Sequence, residues 1–206
     1  MANLPLKLVK KLYYKEKLSA IEVAERLGVT TDIALRFMKK NNLPRRTLVE
    51  ANNIIFERKS KSFSLKEDLS KKDENLKVAS IMLYWGEGVN LNSLNGSAIV
   101  DFSNSNPRMI KLFLKFLRQI CGVDEKRLRV LLYCYADQDV EALKKYWYKE
   151  TNIPLTQFTK PYVRKDFLPE KSGKMEHGLV HIRYCDKKLV AQIREWIEEY
   201  LKENNI

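Results

Sequence analysis

The spacing of apolar residues changes along this chain, and the change limits the folds that are open to it. Over the first fifty residues, apolar side chains recur every three or four positions, as at Leu6, Val9 and Leu12. That spacing places them on one face of a helix. Further along, helical stretches alternate with stretches in which every second residue is apolar, which is the period of a strand. The pattern predicts an α+β domain preceded by a small all-α domain.

The composition between these two regions predicts a linker. The stretch "ERKSKSFSLKEDLSKKDENLK" is rich in lysine, serine and acidic residues and has few large apolar side chains, as segments that join domains often do. Its mixed charge is equally compatible with the solvated face of a helix. We therefore predict a helical domain over residues 1–50, a linker over residues 51–76 and an α+β domain over residues 77–206.

The helical domain contains a pattern for two helices joined by a tight turn. In "SAIE", Ser19 is placed to cap a helix and Glu22 to complete a capping box. Gly28 then follows the last apolar residue, where a left-handed glycine ends a helix. The next helix is expected to begin near Thr31 or Asp32. The sequence thus predicts helix, glycine turn, helix over about twenty residues.

The full stretch "LSAIEVAERLGVTTDIALRFMKKNNLP" resembles a helix-turn-helix of the resolvase or sigma-factor type. In that family the second helix enters the major groove of DNA. The alternative is a plain helical hairpin with a solvated basic face. The resemblance implies DNA contacts from the outward face of the second helix and from the basic residues after it: Thr30, Thr31, Asp32, Leu35, Arg36, Lys39, Lys40, Arg45 and Arg46.

The net charge favours a polyanionic partner. Lysine and arginine number 38 against 26 acidic residues, for a net charge of +12. Such a surplus attracts polyanions and releases their counterions, so nucleic acid is the first expected partner and an anionic membrane the second. A basic protein without such a partner is the alternative. No apolar run approaches the roughly 20 residues that span a bilayer, and the N-terminus lacks a signal-peptide core. We expect a cytoplasmic, nucleoid-associated protein without membrane contacts.

The cysteines and histidines do not form a pattern that binds zinc. Cys121, Cys134 and Cys185 lie far apart without a CxxC pair, and His177 and His181 lack partners at ligand spacing. We therefore expect free, buried thiols and no zinc site.

Two stretches of the α+β domain predict strands with one apolar and one basic face. In "RLRVLLYCY", Val130 and Leu132 occupy alternate positions, and in "GLVHIRY" Val180 and Ile182 do the same. When helices cover the apolar face, the other face is solvated, and cations there can contact phosphates and groove edges. The alternative is an ordinary wet sheet face. The DNA contacts expected from this face and its surroundings are Arg127, Arg129, Lys160, Arg164, Lys165, His181 and Arg183.

An apolar helix over residues 77–86 ends in Gly86, Glu87 and Gly88. With the following "IVDFSNSNPRMIKLFLKFL", the stretch "ASIMLYWGEG" resembles the LAGLIDADG superfamily, which includes homing endonucleases and some bacterial regulators. The resemblance covers about residues 77–200. It implies an αββαββα domain with an antiparallel, saddle-shaped sheet. Because motif helices pack in pairs and one motif copy is visible, it also implies a homodimer formed through the helix over residues 77–86.

The same resemblance implies metal-dependent cleavage of DNA. In the endonucleases an acid at the end of the motif helix binds Mg²⁺, which activates water. Glu87 matches that acid, so Glu87 and Gly86 are the expected site for Mg²⁺ or Mn²⁺. Met82 and Trp85 depart from the motif, since they stand where it has a glycine and its first acid. The implied catalytic residue is Glu87, and the assisting candidates are Gln157, Lys160 and Lys174.

Three functions remain open from the sequence. The main hypothesis is a sequence-specific, double-stranded DNA endonuclease of the homing type. The first alternative is a DNA-binding transcriptional regulator that uses the same fold without cleavage, so these two differ in what Glu87 does. The second alternative is an RNA-binding protein in which Tyr133 and Tyr135 stack on bases.

Overall fold

The computed structural model describes residues 4–88, 98–164 and 175–206. The chain divides into two compact units, Met1–Ser60 and Lys61–Ile206. Among the described residues no helix is long and apolar enough to cross a membrane.

The first unit is helical throughout its described residues. Helix α1 spans Leu6–Lys10 and continues as one wider π turn over Lys11–Lys15, and α2, α3 and α4 span Ala20–Arg26, Thr31–Lys40 and Leu48–Arg58. Helices α1, α2 and α3 and the residues beside them share a small apolar core of Leu4, Val9, Leu12, Tyr13, Val23, Met38 and Leu43, to which α4 adds no buried residue.

The predicted helix signals of this unit are confirmed. The Ser19 hydroxyl accepts from the Glu22 backbone N–H at 3.2 Å, and the Glu22 carboxylate accepts from the Ser19 N–H at 2.6 Å. Gly28 adopts the left-handed conformation, with φ of +65°, between α2 and α3. Thr30 caps α3 through its side chain. The chain therefore forms the helix, turn, helix arrangement that the sequence predicted.

The interval predicted as a linker is folded instead. Its first residues belong to α4, Leu48–Arg58. Phe63 is buried and forms a bridge with Val123 in the second unit. Ser70 then caps the next helix, with Asp73 completing a capping box, so that helix begins before residue 77. Of the lysines and acids that suggested a linker, those up to residue 58 and from residue 71 onward lie on helices, as in the alternative interpretation, whereas those at residues 59–70 lie between the two helices.

The second unit alternates helices and strands. After α5 (Lys71–Glu87), the described elements are β1 (Ile99–Asn104), α6 (Pro107–Gln119), β2 (Arg129–Tyr135), α7 (Val140–Thr151), β3 (Tyr162–Arg164), β4 (Leu179–Cys185) and α8 (Lys187–Glu203). The strands lie in the order β1-β4-β2-β3. The α+β class is therefore confirmed.

The sheet is not wholly antiparallel, which corrects the prediction. Strand β4 pairs antiparallel with β1 and β2, but β3 pairs parallel with β2. A parallel neighbour needs a crossover connection, and α7 provides it between β2 and β3. This helix is also additional to an αββαββα order. The stretch "VNLNSLNG", interpreted from the sequence as an insertion that replaces the short first strand of that order or contains it in weak form, lies outside the described residues.

Helices cover one face of the sheet. Alternate strand residues, including Val100, Phe102, Val130 and Ile182, join the core with apolar residues of α5, α6, α7 and α8. Cys121 and Cys134 are buried there as free thiols, whereas Cys185 is exposed, contrary to the expectation for all three. Because successive residues of a strand point to opposite faces, the remaining strand residues form the other face, here called the open face.

A hydrogen-bond network ties the segment before α5 to the end of β4. The Ser62 hydroxyl donates to the Asp186 carboxylate at 2.5 Å, and the Ser62 N–H donates to the same oxygen at 3.2 Å. Burial raises the pKa of Asp186, but the hydrogen bonds from Ser62 and from the first turn of α8 outweigh it, so the pKa lies below its ordinary value. The ionised form of Asp186 is therefore the one that stabilises this fold.

We expect Ser62→Ala to lower the free energy of unfolding of the second unit by about 1–2 kcal/mol at pH 7, since a hydrogen bond to a charged group is lost. Because the folded pKa of Asp186 is lowered, its contribution is present above the unfolded pKa, ordinarily 3.8, and is lost as the pH falls through the folded value. Urea unfolding at pH 7 and pH 3.5 should show a smaller penalty at pH 3.5. Ser64→Ala, two residues on and exposed, is the control; an equal loss in both variants would contradict the network.

Candidate nucleic-acid interface

The outward face of α3 is basic. Arg36, Lys39 and Lys40 are exposed, whereas Ala34 and Met38 are buried in the helical unit. Leu35, Arg36, Lys39, Leu43 and Arg45 line one open depression beside this face. Within the described residues, no carboxylate forms an ion pair with Arg36, Lys39, Lys40 or Arg45. The outward cations are thus available for an external anion.

The remaining candidates near α3 lie in or next to its first turn. Thr30 uses its side chain as the cap of α3, and Asp32 lies in the first turn, where an acid complements the helix dipole. Asp32 is exposed, and Thr31 and Leu35 are half-buried. These four residues therefore surround the N-terminal end of α3, the end that a recognition helix presents to base edges.

Arg45 and Arg46 have different environments although they are adjacent. Arg45 is exposed. The Arg46 guanidinium donates to the backbone carbonyls of Tyr13 and Leu18 and lies over the Tyr13 ring, 4.1 Å from its centroid. Arg46 therefore fastens the end of the helical unit, and of the two arginines only Arg45 retains an available head group for a phosphate.

On the open face, two arginines lie side by side. The strand register places Arg129 of β2 opposite Arg183 of β4, and Arg183 opposite Asp101 of β1. Like charges that face each other across neighbouring strands destabilise a sheet. A bound polyanion would offset that cost, which is why this row is a candidate for phosphate or base contact.

Asp101 holds two of the predicted basic residues. Its Oδ1 lies 2.8 Å from Nδ1 of His181, and its Oδ2 accepts from Nε of Arg183 at 2.7 Å. The Asp101 side chain is only 8% exposed, against 31% for Arg183. The carboxylate therefore lies beneath the imidazole and the guanidinium and fixes both side chains. The sequence does not single out Asp101 for this role, because its partners lie about eighty residues away.

Aromatic rings extend the open face toward β3. The Tyr133 ring lies 4.7 Å from the His181 ring and 4.8 Å from the Tyr162 ring, measured between centroids. Arg164 lies over Tyr135 at 5.9 Å. Because Tyr133 packs against other rings on two sides, much of its π face is already in use within the sheet.

Two other candidates make contacts that shape the fold, and a third is exposed. Arg127 donates to the Cys185 carbonyl at 2.5 Å and lies over Tyr184. Gln157 donates to the carbonyls of Glu125 and Leu128. The assisting role of Gln157 stays a prediction, and in this conformation its amide nitrogen is engaged in these two hydrogen bonds. Lys160 is exposed just before β3.

Glu87, the acid of the stretch "ASIMLYWGEG", lies near β1, at the edge of the sheet opposite to β3. Glu87 is the last residue of α5 and is exposed. Gly88 forms a bridge with Phe102 of β1, which fixes the end of α5 beside that strand. Gln157 and Lys160 flank β3, three strands away, or about 14 Å at the usual strand spacing. Within one chain, Glu87 is not brought together with either of them.

The last turn of α5 is anchored by Tyr84 and by a glycine. Burial raises the pKa of Tyr84 to about 12, and a hydrogen bond with the Asp101 backbone acts in the opposite direction. A Cβ atom at Gly88 would lie 2.4 Å from the Tyr84 carbonyl oxygen, whereas at Gly86 it would meet nothing within 4 Å. The packing of this chain therefore requires Gly88, but it leaves open space at Gly86.

The outer side of α5 carries small and apolar residues. At 100° per residue, Val78, Ala79, Met82, Trp85 and Gly86 fall on one side of the helix, here called the α5 stripe. Trp85 is 52% exposed, Ala79 and Gly86 are exposed, and Met82 is half-buried. Glu87 is the next residue and the last of α5, 100° around the helix from Gly86.

Two candidates, Lys165 and Lys174, lie outside the described residues. Within the described part of the chain, no group of three or more histidine, cysteine or acidic residues is arranged to hold a metal ion. The exposed Glu87 is thus a single carboxylate, and Gly86 can offer only its carbonyl oxygen.

Comparisons of this chain with known proteins give no family. No family model, no curated protein and no solved structure matches it. What the chain does is therefore argued from its own residues and geometry.

Proposed function

We propose that this protein binds double-stranded DNA in a sequence-specific manner through the outward face of α3 and through the open face of the sheet. The observation that carries the proposal is the helix-turn-helix arrangement, in which Gly28 turns the chain between α2 and α3. The exposed cations of α3 form no ion pair with a carboxylate of the described residues. A recognition helix of this kind enters the major groove with its N-terminal residues toward base edges.

The charge of the chain supports the same partner. A net charge of +12 favours DNA through counterion release, and the facing pair Arg129 and Arg183 would be relieved by a polyanion. The residues proposed for contact are Thr30, Thr31, Asp32, Leu35, Arg36, Lys39, Lys40, Arg45, Arg129, Lys160, Arg164, His181 and Arg183, with Lys165 as a further candidate.

A titration with salt tests this proposal. The full chain should bind a duplex DNA pool with an affinity that falls steeply as salt rises. The double substitution Arg36→Ala and Lys39→Ala should weaken binding and reduce the slope of log K against log [salt] by about 2, because each lost phosphate contact removes about one unit. Fluorescence anisotropy with labelled duplexes at several salt concentrations measures both the affinity and this slope.

The matched control is the pair Lys115→Ala and Lys149→Ala, which removes the same number of exposed charges from α6 and α7, on the helix-covered side of the sheet. It should leave the slope nearly unchanged. Equal slopes for the two double variants would show that charge alone, without the α3 face, accounts for binding. Tighter binding of single-stranded RNA than of duplex DNA would favour the RNA-binding alternative.

We further propose that the protein cleaves the DNA that it binds, with Glu87 as the catalytic carboxylate. The observation that favours cleavage is the exposed position of Glu87 at the end of α5, beside the edge of the sheet. Carboxylate oxygens suit Mg²⁺ and Mn²⁺. When bound, such an ion would supply activation of water and stabilisation of charge on phosphate oxygens. Glu87, with the Gly86 carbonyl, is what this chain offers to it.

One carboxylate is too few for a closed site, so the proposal requires a homodimer. Two copies that pack α5 stripe against α5 stripe in parallel would bring the C-terminal ends of both helices, each with its Glu87, to the same end of the pair. The open space at Gly86 and the exposed Trp85 support this contact, since neither is explained by packing within the described chain. If Glu87 does not act on phosphate, the same surfaces describe a regulator that binds DNA without cutting it.

A further inference from the structure

Asp101 fixes the geometry of the His181 and Arg183 side chains more closely than a phosphate contact requires. Phosphate binding requires charge, which exposed lysines supply without fixed geometry. Here a carboxylate that is almost wholly buried holds two neighbouring side chains from beneath. The inner nitrogen of each is bound, at 2.8 Å for Nδ1 of His181 and 2.7 Å for Nε of Arg183.

Asp101 leaves the outer nitrogens of both side chains unused. Within residues 4–88, 98–164 and 175–206, no second hydrogen bond to the terminal nitrogens of Arg183 accompanies the one at Nε. The guanidinium is planar, so fixing Nε fixes the plane in which the two terminal N–H groups lie. Such a fork matches the O6 and N7 acceptors of guanine in the major groove.

We infer that Arg183, held in plane by Asp101, is a specificity-determining residue that recognises a guanine in duplex DNA. The inference rests on the proposed function, because it assigns a base to the open face that the proposal places on DNA. Asp101 is the positioning residue, since it acts through Arg183. His181, two residues away on the same strand and held by the same carboxylate, lies about 6.6 Å along the strand, or about two base steps of 3.4 Å.

Arg129 provides an internal comparison. It faces Arg183 across the sheet, but no carboxylate among the described residues holds it, and one terminal nitrogen donates to the carbonyls of Lys126 and Leu128 at 2.7 Å. Arg129 therefore contributes charge to the open face, while one of its two terminal nitrogens is already engaged. The two arginines should differ in their effect on base preference although they carry the same charge.

The experiment selects binding sites for the full chain from a randomised duplex pool and measures affinities for the selected site and its single-base variants. Arg183→Lys should reduce the preference for G·C at one position about fivefold to 150-fold and leave the other positions unchanged. Asp101→Asn should act at the same position with a smaller effect. Arg129→Lys should weaken binding equally to all sequences.

A chemical probe makes the test independent of folding. Replacing the recognised guanine by 7-deazaguanine removes the N7 acceptor and should weaken binding of the wild type, but not weaken binding of Arg183→Lys further. Circular dichroism melting of each variant shows that the fold is kept, since Arg183→Lys retains the charge and most of the volume.

The outcomes separate the inference from the function on which it rests. If the wild type enriches a site and Arg183→Lys keeps every base preference, the inference is overturned and the proposed function stands. If the wild type enriches no sequence, sequence-specific binding is overturned, and the role of Arg183 with it.

Discussion

Glu87→Gln is expected to abolish metal-dependent DNA cleavage while duplex binding persists. Glutamine keeps the size of the side chain but is a much weaker ligand for a hard divalent cation than a carboxylate. Loss of a ligand should lower the cleavage rate at least about 100-fold. Without metal, binding should be unchanged or slightly tighter, because one negative charge near the phosphates is removed. Gel analysis of a plasmid library with Mg²⁺, with Mn²⁺ and with a chelator measures cleavage, and anisotropy measures binding.

Glu198→Gln is the matched control for this experiment. Glu198 is exposed on α8, on the helix-covered side of the sheet, and its substitution should leave both cleavage and binding unchanged. Persistent cleavage by Glu87→Gln would assign the chemistry to another residue. A wild-type chain that binds duplex DNA and leaves it intact in both metals would identify the protein as a regulator.

Arg46→Met is expected to destabilise the helical unit strongly, whereas Arg45→Met is not. The Arg46 guanidinium donates to two backbone carbonyls and lies 4.1 Å from the centroid of the Tyr13 ring. Removing a charged donor from partly buried acceptors costs about 1.5–3 kcal/mol per hydrogen bond, so a total of about 2–4 kcal/mol is expected after solvent exposure is considered. That is a large fraction of the total free energy of unfolding expected for a unit of sixty residues.

The two units can be followed separately in this measurement. All three tryptophans, Trp85, Trp147 and Trp196, lie in the second unit, so their fluorescence reports that unit alone. Far-ultraviolet circular dichroism reports both. Arg46→Met should lower the midpoint of the circular dichroism transition that belongs to the helical unit. The midpoint of the fluorescence transition should stay unchanged.

The neighbouring variant supplies the comparison. Arg45 is exposed, and substitutions at such positions usually change stability by less than about 0.5 kcal/mol. Arg45→Met should therefore weaken duplex binding without a change in either unfolding transition. Equal stability of the two variants would mean that Arg46 does not fasten the helical unit.

Much of the helical unit was predictable because its signals are local. The capping box of Ser19 and Glu22, and the left-handed turn at Gly28, depend on residues within three or four positions of each other. The period-two alternation of β2 and β4 is equally local, and it placed Arg129, His181 and Arg183 on the open face correctly. The mixed charge of residues 51–76 failed as a signal because a solvated helix face and a linker have the same composition.

The candidate site depends on contacts between residues that are far apart in the sequence. The sequence by itself determined the α+β class, two successive helices joined by a glycine turn, and the faces of the two strands, because backbone hydrogen bonds and side-chain periodicity act between near neighbours. Only the tertiary structure decided that β3 runs parallel to β2, that Arg46 is engaged while Arg45 is available, and that Asp101 holds His181 and Arg183. Those facts depend on which strands and turns the chain brings together from about thirty or eighty positions apart, and no local pattern encodes that choice.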